Sequence, residues 1–297
     1  MPAIEANGIS IWYEDEGPRD APVVMMVMGF GAQLTLWPEE LVEALREEGF
    51  RVVRFDNRDV GLSHKFDGVR APGFFRLALL ARLGFVPKVP YRLSDMADDA
   101  VGLMDALGIA RAHVVGASMG GMIAQHIAAR HPERVLSLTS VFSTTGHRKL
   151  PPARREALRV LLARPRSGDE EALVAHGVTL ARTIGSPAFP ATEDRLRERS
   201  RALVRRSHYP EGATRHLAAI VADGDRRAML RQIAVPTLVL HGEDDPLIPV
   251  EGGRDTAAHI PGARLVTIPG WGHDLPPELF GRIAGEIAGH ARAAGGQ

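Results

Sequence analysis

Short apolar segments of strand length alternate with amphipathic segments of helical length along most of the chain. The strand-like segments are 8–17, 21–30, 51–59, 110–118, 134–143, 235–245 and 263–270. The helix-like segments are 36–50, 93–109, 119–133 and 250–259, and a last one begins at Pro277. Strands that alternate with helices connect by right-handed crossovers, so the pattern predicts an α/β fold with a mostly parallel sheet and helices on both faces. We place 8–17 as an outer strand and Ser94 as the N-cap of its helix.

Residues 146–230 interrupt this alternation. They are rich in Arg, Ala, Leu and Glu, show several helical patterns and contain no β-branched run of strand length. Because the strand pattern resumes afterwards, we interpret them as a helical cap subdomain inserted into a core domain of residues 1–145 and 231–297. A second, smaller insertion at 65–91 carries apolar residues outside the strand rhythm: Phe74, Phe75, Leu77, Leu79, Leu80, Leu83 and Phe85.

The composition excludes several classes of function. The formal net charge is zero, so nothing points to a nucleic acid or a charged membrane surface as the partner. The absence of cysteine removes disulfides, thiolate catalysis and cysteine-based zinc sites. The most apolar run, 21–32, is too short to cross a bilayer, and no signal peptide is visible, so we expect a cytoplasmic protein. The oligomeric state, monomer or homo-oligomer, stays open.

Ser118 lies in Gly116-Ala117-Ser118-Met119-Gly120, a G-x-S-x-G sequence between a predicted strand and a predicted helix. A sharp turn there holds the serine in a strained conformation, and bulky residues two positions away on either side would clash. The helix start also directs unpaired N–H groups and its positive dipole end toward a developing anion. The context favours Ser118 as a nucleophile over a small residue that fills a tight turn.

A serine nucleophile needs a general base, and the base needs an acid that orients it. The segment LVLHGEDDPLIP places Asp244 and Asp245 at the end of a predicted strand. The segment IPGWGHDLP places His273 in a loop after the last predicted strand. The chain order serine, aspartate, histidine is that of the α/β-hydrolases and differs from the order in other serine-hydrolase folds.

These segments, together with MVMGFG and DNRDVGLS, resemble the α/β-hydrolase superfamily in its esterase-like branch, which includes carboxylesterases and aclacinomycin methylesterases. The resemblance extends over about residues 3–290. It implies the α/β-hydrolase fold, with a mostly parallel eight-stranded sheet and a cap inserted after the sixth strand. It also implies Ser118 as the nucleophile, His273 as the base and Asp245 as the acid, with Asp244 as the alternative acid.

The resemblance further implies an oxyanion hole formed by the backbone N–H groups of Met119 and Phe30. The family usually has His-Gly-x-G where this chain has Met28-Gly29-Phe30-Gly31. Since the donor is a backbone N–H, we expect the hole to survive the loss of the histidine, but not any supporting hydrogen bond that the histidine makes. A second departure is Asp59, which replaces a common glycine and should alter a turn without changing the chemistry.

Several other residues near these motifs have structural explanations. We interpret His113 and His131 as structural, His241 as a buried histidine with a supporting role for the acid as the alternative, and Asp56 as part of a turn held by side-chain hydrogen bonds. Apolar residues beside the motifs belong either to the core or to a substrate pocket: Phe30, Leu34, Trp37, Phe142, Leu247 and Trp271. Phe30 and Trp271 are expected to face the cleft.

The sequence thus predicts a serine hydrolase that cleaves carboxylic esters of small to medium apolar substrates through an acyl-enzyme. No metal and no organic cofactor are implied, and the partner is a small-molecule ester. The same triad also serves hydrolysis of carbon–carbon bonds, lactone opening and perhydrolysis. An alternative from another class is a non-catalytic protein that uses the fold to bind a ligand.

Overall fold

The computed structural model describes residues 3–295 except 74, 75, 78, 81, 82, 84, 164 and 166. Eight strands form one sheet in the order β1-β2-β4-β3-β5-β6-β7-β8. They are β1 Ala3–Ala6, β2 Ile9–Glu16, β3 Val23–Val27, β4 Arg51–Phe55, β5 Ala112–Ala117, β6 Val135–Val141, β7 Thr237–Gly242 and β8 Arg264–Ile268. The pairs β1–β2 and β2–β4 are antiparallel and all others are parallel, which confirms the predicted sheet.

The helices in the described residues are α1 Glu39–Glu47, α2 Leu93–Ala106, α3 Met119–Arg130, α4 Arg155–Leu162, α5 Glu170–Ile184, α6 Glu193–Arg206, α7 Pro210–Asp223, α8 Arg227–Leu230, α9 Glu251–His259 and α10 Phe280–Gly295. Of these helices, α2 and α3 pack on one face of this sheet and α1 and α10 on the other. No helix within the described residues is long and apolar enough to cross a membrane.

Side chains of the central strands alternate between two hydrophobic clusters. Along β3, Val23, Met25 and Val27 pack with residues of α2 and α3. Val24 and Met26 point to the opposite face and pack with residues of α1 and α10. Because successive side chains of a strand point to opposite faces, a strand covered by helices on both sides must be apolar throughout. This explains the uninterrupted apolar runs of the sequence.

Two local predictions are wrong. The outermost strand is β1, not the segment 8–17, because β1 pairs with the free edge of β2. Of its four residues, Ala3 and Glu5 are exposed and alternate with Ile4 and Ala6, so the strand carries no continuous apolar run. Helix α2 has Arg92, not Ser94, at its N-cap, because the Asp95 carboxylate accepts a hydrogen bond of 2.8 Å from the Arg92 N–H.

Helices α4 to α8 occupy the chain between β6 and β7. They include most of residues 146–230, whose assignment as a separate cap subdomain stays a prediction. In the smaller insertion, Leu77 is buried while Leu79, Leu83 and Phe85 are exposed. Phe74 and Phe75 of that insertion lie outside the described residues.

Candidate active site

The sequence-predicted residues lie where neighbouring parallel strands end. Phe30 follows β3, Ser118 follows β5, Phe142 follows β6, Asp245 follows β7 and His273 follows β8. Since β3, β5, β6, β7 and β8 are consecutive in the sheet, their carboxyl ends form one edge. The topology therefore brings five segments that are distant in sequence to one crevice, the usual place for a ligand in an open α/β sheet.

Ser118 occupies a strained turn between β5 and α3. Its backbone adopts φ 57° and ψ −120°, a conformation that residues with a side chain rarely take. Its N–H donates to the Val141 carbonyl at 2.9 Å, which fixes the turn against β6. A Cβ on Gly120 would lie 2.0 Å from the Val27 carbonyl oxygen, so this position admits no side chain. The close packing holds the serine in its strained conformation.

His273 and Asp245 form a buried pair. The His273 Nδ1 lies 2.6 Å from the Asp245 Oδ2. The second carboxylate oxygen, Oδ1, accepts hydrogen bonds of 2.8 Å from the N–H groups of Leu247 and Ile248, which fixes the plane of the carboxylate. In the neutral imidazole, a proton on Nδ1 that is donated to the carboxylate leaves the lone pair on Nε2. This is the tautomer that a general base requires.

Asp244, the alternative acid, has a different role. Its Oδ2 accepts a hydrogen bond of 2.8 Å from the Gly270 N–H, so it holds the turn after β8 rather than the imidazole.

The backbone of His273 is bonded to an inserted helix. Its N–H donates at 2.7 Å to the carbonyl of Ile184, the last residue of α5. The inserted helices therefore contact the backbone of the histidine loop directly.

The structure brings Ser118 and His273 to the same edge without a hydrogen bond between their side chains. Of the described side chains, Asp245 is hydrogen-bonded to the imidazole and the Ser118 hydroxyl is not. The Phe142 ring packs on the imidazole, with ring centroids 4.6 Å apart. Phe142 follows Val141, which accepts from the Ser118 N–H, and it has φ 34°. A strained residue thus links the backbone of the serine turn to the histidine ring.

The Met28-Gly29-Phe30-Gly31 segment lies against the serine. A Cβ on Gly29 would be 3.1 Å from the Ser118 Cβ and 3.5 Å from its Oγ. No acceptor within the described residues takes the Phe30 N–H, and the Met119 N–H belongs to the first residue of α3. Both donors are therefore available to a developing oxyanion. The Asn57 amide donates to the Met28 carbonyl at 2.8 Å, which joins the segment to the loop after β4.

Asp59 does more than alter a turn. It adopts φ 66°, which explains why glycine is common at this position. Its carboxylate accepts from both the Arg215 guanidinium on α7, at 2.7 and 2.8 Å, and the Tyr91 hydroxyl, at 2.6 Å. Burial opposes ionisation of Asp59, but these hydrogen bonds lower its pKa below the usual value. Sequence reasoning missed this pair because its members are separated by more than 150 residues and no motif connects them.

Other candidates prove structural. The Asp56 carboxylate accepts from the N–H groups of Leu34 and Leu62, both at 2.8 Å, which confirms the predicted turn. His113 is buried against the Ser137 hydroxyl, and burial lowers its pKa to about 4. His131, directly after α3, lies 2.9 Å from the Asp98 carboxylate on α2.

His241 lies beside Asp245 but is hydrogen-bonded elsewhere. Its Nε2 lies 2.8 Å from the Ile248 carbonyl oxygen and 3.7 Å from the Asp245 Oδ2. It is fully buried, as predicted, and burial lowers its pKa. The imidazole of His241 is therefore neutral and packs beside Asp245.

Within the described residues, no group of three or more His, Asp or Glu side chains has the arrangement of a metal site.

The apolar candidates divide by burial. Phe30 and Leu247 are half-buried, and Phe142 is 5% exposed. Leu34, Trp37 and Trp271 have no exposed surface. Trp271, expected to face the cleft, instead packs in the core, because its indole N–H donates to the Asp274 carbonyl at 2.7 Å and its ring contacts Phe142. Substrate contact by these residues stays a prediction.

A family model described as alpha/beta hydrolase fold matches residues 22–278. The chain belongs to the α/β-hydrolase family. The rhodomycin D methylesterase DauP of Streptomyces sp. (strain C5) is 31% identical over 316 aligned positions that cover 98% of each chain. The rhodomycin D methylesterase DnrP of Streptomyces peucetius is 30% identical, again over 98% of each.

A solved enol-lactonase from Burkholderia xenovorans LB400 shares 26% identity with this α/β-hydrolase. It superposes with a TM-score of 0.72 over 97% of this chain and 99% of its own. The fold and the resemblance to the methylesterase branch are thereby confirmed.

Proposed function

We propose that the protein is a serine hydrolase that cleaves carboxylic esters through an acyl-enzyme. One observation carries the proposal: a buried His273–Asp245 pair, 2.6 Å apart, lies at the strand edge where a strained turn presents Ser118. A serine in this conformation, an oriented imidazole and unpaired backbone N–H groups are the parts that acyl transfer needs.

In the proposed reaction, the Ser118 Oγ attacks the ester carbonyl while the His273 Nε2 takes its proton. The carbonyl oxygen becomes an oxyanion that accepts hydrogen bonds from the Phe30 and Met119 N–H groups. The intermediate collapses, the C–O bond to the alcohol breaks, and the imidazolium donates its proton to the leaving alkoxide. A water molecule then gives a proton to Nε2 and attacks the acyl-enzyme carbonyl. The bond between the acyl carbon and the Ser118 Oγ breaks, the imidazolium returns its proton to Oγ, and the acid is released. The Ser118–His273 hydrogen bond forms in the substrate complex, as such bonds often tighten only there.

The substrate class that we propose is a methyl or other small alkyl ester of an apolar carboxylic acid. The two methylesterase relatives cover 98% of this chain and support the small alcohol. Of the predicted pocket residues, Phe30, Phe142 and Leu247 retain exposed surface, and their apolar side chains support the apolar acid. The enol-lactonase relative shows that lactone opening occurs on the same fold. Hydrolysis of carbon–carbon bonds and perhydrolysis are further alternatives, as is ligand binding without turnover.

Turnover of a substrate panel tests this proposal. The panel contains p-nitrophenyl esters from acetate to laurate, a methyl ester of an aromatic acid, an enol lactone and peracid formation from acetate. We expect ester hydrolysis that Ser118→Ala abolishes, with the methyl ester among the substrates. Equal rates for the wild type and Ser118→Ala on every ester would overturn the proposal, and turnover of the lactone alone would replace it with lactonase activity.

The cytoplasmic location, the division into core and cap, and the small-molecule ester as partner also stay predictions. The core is proposed as residues 1–145 and 231–297 and the cap as residues 146–230. The contact between Ile184 of α5 and His273 supports a cap that borders the site.

A further inference from the structure

His216, on α7, is held between two loops beside the proposed site. Its side chain has no exposed surface. Its Nδ1 lies 3.2 Å from the Gly31 nitrogen, and its Nε2 lies 2.9 Å from the Arg58 carbonyl oxygen. A carbonyl oxygen only accepts, so Nε2 carries the proton and Nδ1 accepts from the Gly31 N–H. Burial lowers the pKa of His216 to about 4, so this neutral tautomer is kept at neutral pH.

Gly31 directly follows Phe30, which places this hydrogen bond one residue from an oxyanion donor. On the other side of Phe30, Asn57 holds the Met28 carbonyl at 2.8 Å and Gly29 lies against Ser118. The Phe30 ring also meets the imidazole edge to face, with centroids 6.4 Å apart. On the Gly31 side, the Ala32 N–H donates to the Gly29 carbonyl at 3.3 Å within the segment itself, whereas the bond from Gly31 to His216 ties the residue next to Phe30 to an inserted helix.

We infer that His216 is a positioning residue that fixes the Phe30 N–H in the oxyanion hole through its hydrogen bond with Gly31. The inference rests on the proposed function. Position 28 is Met in this chain, so the supporting hydrogen bond expected from a histidine there is lost. His216, on the inserted helix α7, supplies a supporting hydrogen bond instead. Oxyanion donors act only when they are aimed at the place where charge develops, and small displacements are costly.

His216 can act in this way because its own position is fixed. The preceding residue, Arg215, is paired with the buried Asp59 at 2.7 Å. The Arg58 carbonyl that receives Nε2–H belongs to a residue whose guanidinium binds Asp99 at 2.6 Å. Helix α7 is thus anchored to the loop after β4 at two adjacent residues.

Helix α6 anchors the far end of the loop after β3, to which Phe30 and Gly31 belong. The Gln33 amide, two residues after Gly31, donates to the carbonyls of Leu203 and Ser207 at 2.8 and 2.9 Å. Its oxygen accepts from the Arg206 guanidinium at 2.7 Å. The inserted helices therefore form hydrogen bonds with this loop at Gly31 and at Gln33. Of these two contacts, the one between Gly31 and His216 is nearer to the proposed oxyanion donor, Phe30.

Two near-isosteric variants separate the two hydrogen bonds of His216. In His216→Asn, the amide oxygen takes the place of Nδ1 and still accepts from Gly31. In His216→Gln, the amide nitrogen takes the place of Nε2 and still donates to Arg58, but the acceptor for Gly31 is lost. The matched control is His113→Gln, which removes another buried, neutral histidine. His113 lies near the amino end of β5, whereas Ser118 follows the carboxyl end of the same strand.

The readouts are kcat and KM on the best p-nitrophenyl ester and the affinity for an alkyl boronic acid that mimics the tetrahedral intermediate. We expect His216→Gln to lower kcat by about 10- to 100-fold with KM nearly unchanged, because a displaced oxyanion donor costs part of the about 10²- to 10³-fold that a lost one costs. Boronate affinity should fall by a similar factor. His216→Asn should retain kcat within about threefold of the wild type, and His113→Gln should do the same.

The outcomes separate this inference from the proposed function. Equal kcat for the wild type, His216→Gln and His216→Asn would overturn the inference while Ser118-dependent turnover stands. A larger loss in His216→Asn than in His216→Gln would also overturn it. A wild type without Ser118-dependent turnover overturns both. Should His216→Gln not fold, ¹⁵N NMR of the wild-type imidazole decides: an unprotonated Nδ1 coupled to the Gly31 N–H supports the inference, and a protonated Nδ1 overturns it.

Discussion

At the scale of single residues, the structure distinguishes two adjacent aspartates that the sequence left as alternatives. Asp245 contacts the His273 imidazole, whereas Asp244 caps the turn at Gly270. The difference follows from the backbone after β7, where the Leu247 and Ile248 N–H groups turn back onto the Asp245 carboxylate. The contacts of Asp245 with His273 and of Asp244 with Gly270 join residues more than 25 positions apart, so spacing alone cannot assign the roles.

Asp245→Asn should lower kcat by about 10³-fold or more. The amide would present an N–H to the His273 Nδ1, which favours the tautomer with the proton on Nε2 and removes the general base. The control is Asp244→Asn, which should leave kcat within about threefold of the wild type and lower only stability. Steady-state kinetics of both variants on one ester measure this. A larger loss of kcat in Asp244→Asn would show that the assignment of the acid is wrong.

Gly120→Ala should destabilise the turn that presents Ser118. The added methyl group would lie 2.0 Å from the Val27 carbonyl oxygen, and the strand cannot retreat without loss of its pairing. We expect a loss of about 2 kcal/mol or more in the free energy of unfolding, together with lost activity. The control is Gly285→Ala on α10, where the methyl group meets open space and should stabilise the helix by about 0.5–1 kcal/mol. Denaturant unfolding measures both, and an unchanged stability of Gly120→Ala would contradict the packing.

At the scale of elements, the helices of the insertion are joined to the core by buried charges. Arg215 and Asp59 are 3% and 0% exposed and form a bidentate pair. Removal of one partner leaves the other charge buried and unpaired, which is more costly than removal of both. This pair therefore sets how firmly α7 is held against the loop after β4.

Asp59→Asn should lower the free energy of unfolding by about 3 kcal/mol. The double variant Asp59→Asn, Arg215→Met should be more stable than the sum of its single effects predicts, since it leaves no unpaired charge. The exposed pair Arg254–Glu251 provides the control, because Glu251→Gln should change stability by less than about 0.5 kcal/mol. Denaturant unfolding of the set forms a double-mutant cycle. Additive effects in that cycle would contradict a coupled buried pair.

The central strands and their flanking helices could be predicted from the sequence because burial on both faces requires continuous apolar runs, as in Val23–Val27. The catalytic candidates followed from their positions after those strands. Strand β1 could not be predicted, because an edge strand of four residues with one exposed face has no such run. The contacts of Arg215 and His216 could not be predicted either, because they depend on how α7 packs against loops far away in sequence.

At the scale of the whole molecule, stability should decrease as the pH falls from about 6.5 to about 4. Burial lowers the pKa of both His113 and His216 from 6.5 to about 4. Between these values the unfolded chain binds a proton at each histidine and the folded chain does not, so unfolding is favoured by acid. Each histidine contributes up to about 1.4 kcal/mol per pH unit in this window.

Denaturant unfolding at intervals from pH 7.5 to pH 4.5 measures this dependence. The wild type should lose stability steadily below about pH 6.5, and the non-titrating variant His113→Gln should show a shallower slope. A stability that is constant or rises toward acid, or a slope that His113→Gln leaves unchanged, would contradict the assignment of His113 as a buried neutral group.

The proposed activity depends on Ser118 being a nucleophile activated by His273. Intact-protein mass spectrometry after treatment with an alkyl fluorophosphonate tests this most directly. We expect one adduct per chain, located on Ser118 by peptide mapping, formed at least about 100-fold more slowly in His273→Ala and absent in Ser118→Ala. No adduct on Ser118, or an adduct that forms at the same rate in His273→Ala, would contradict the account.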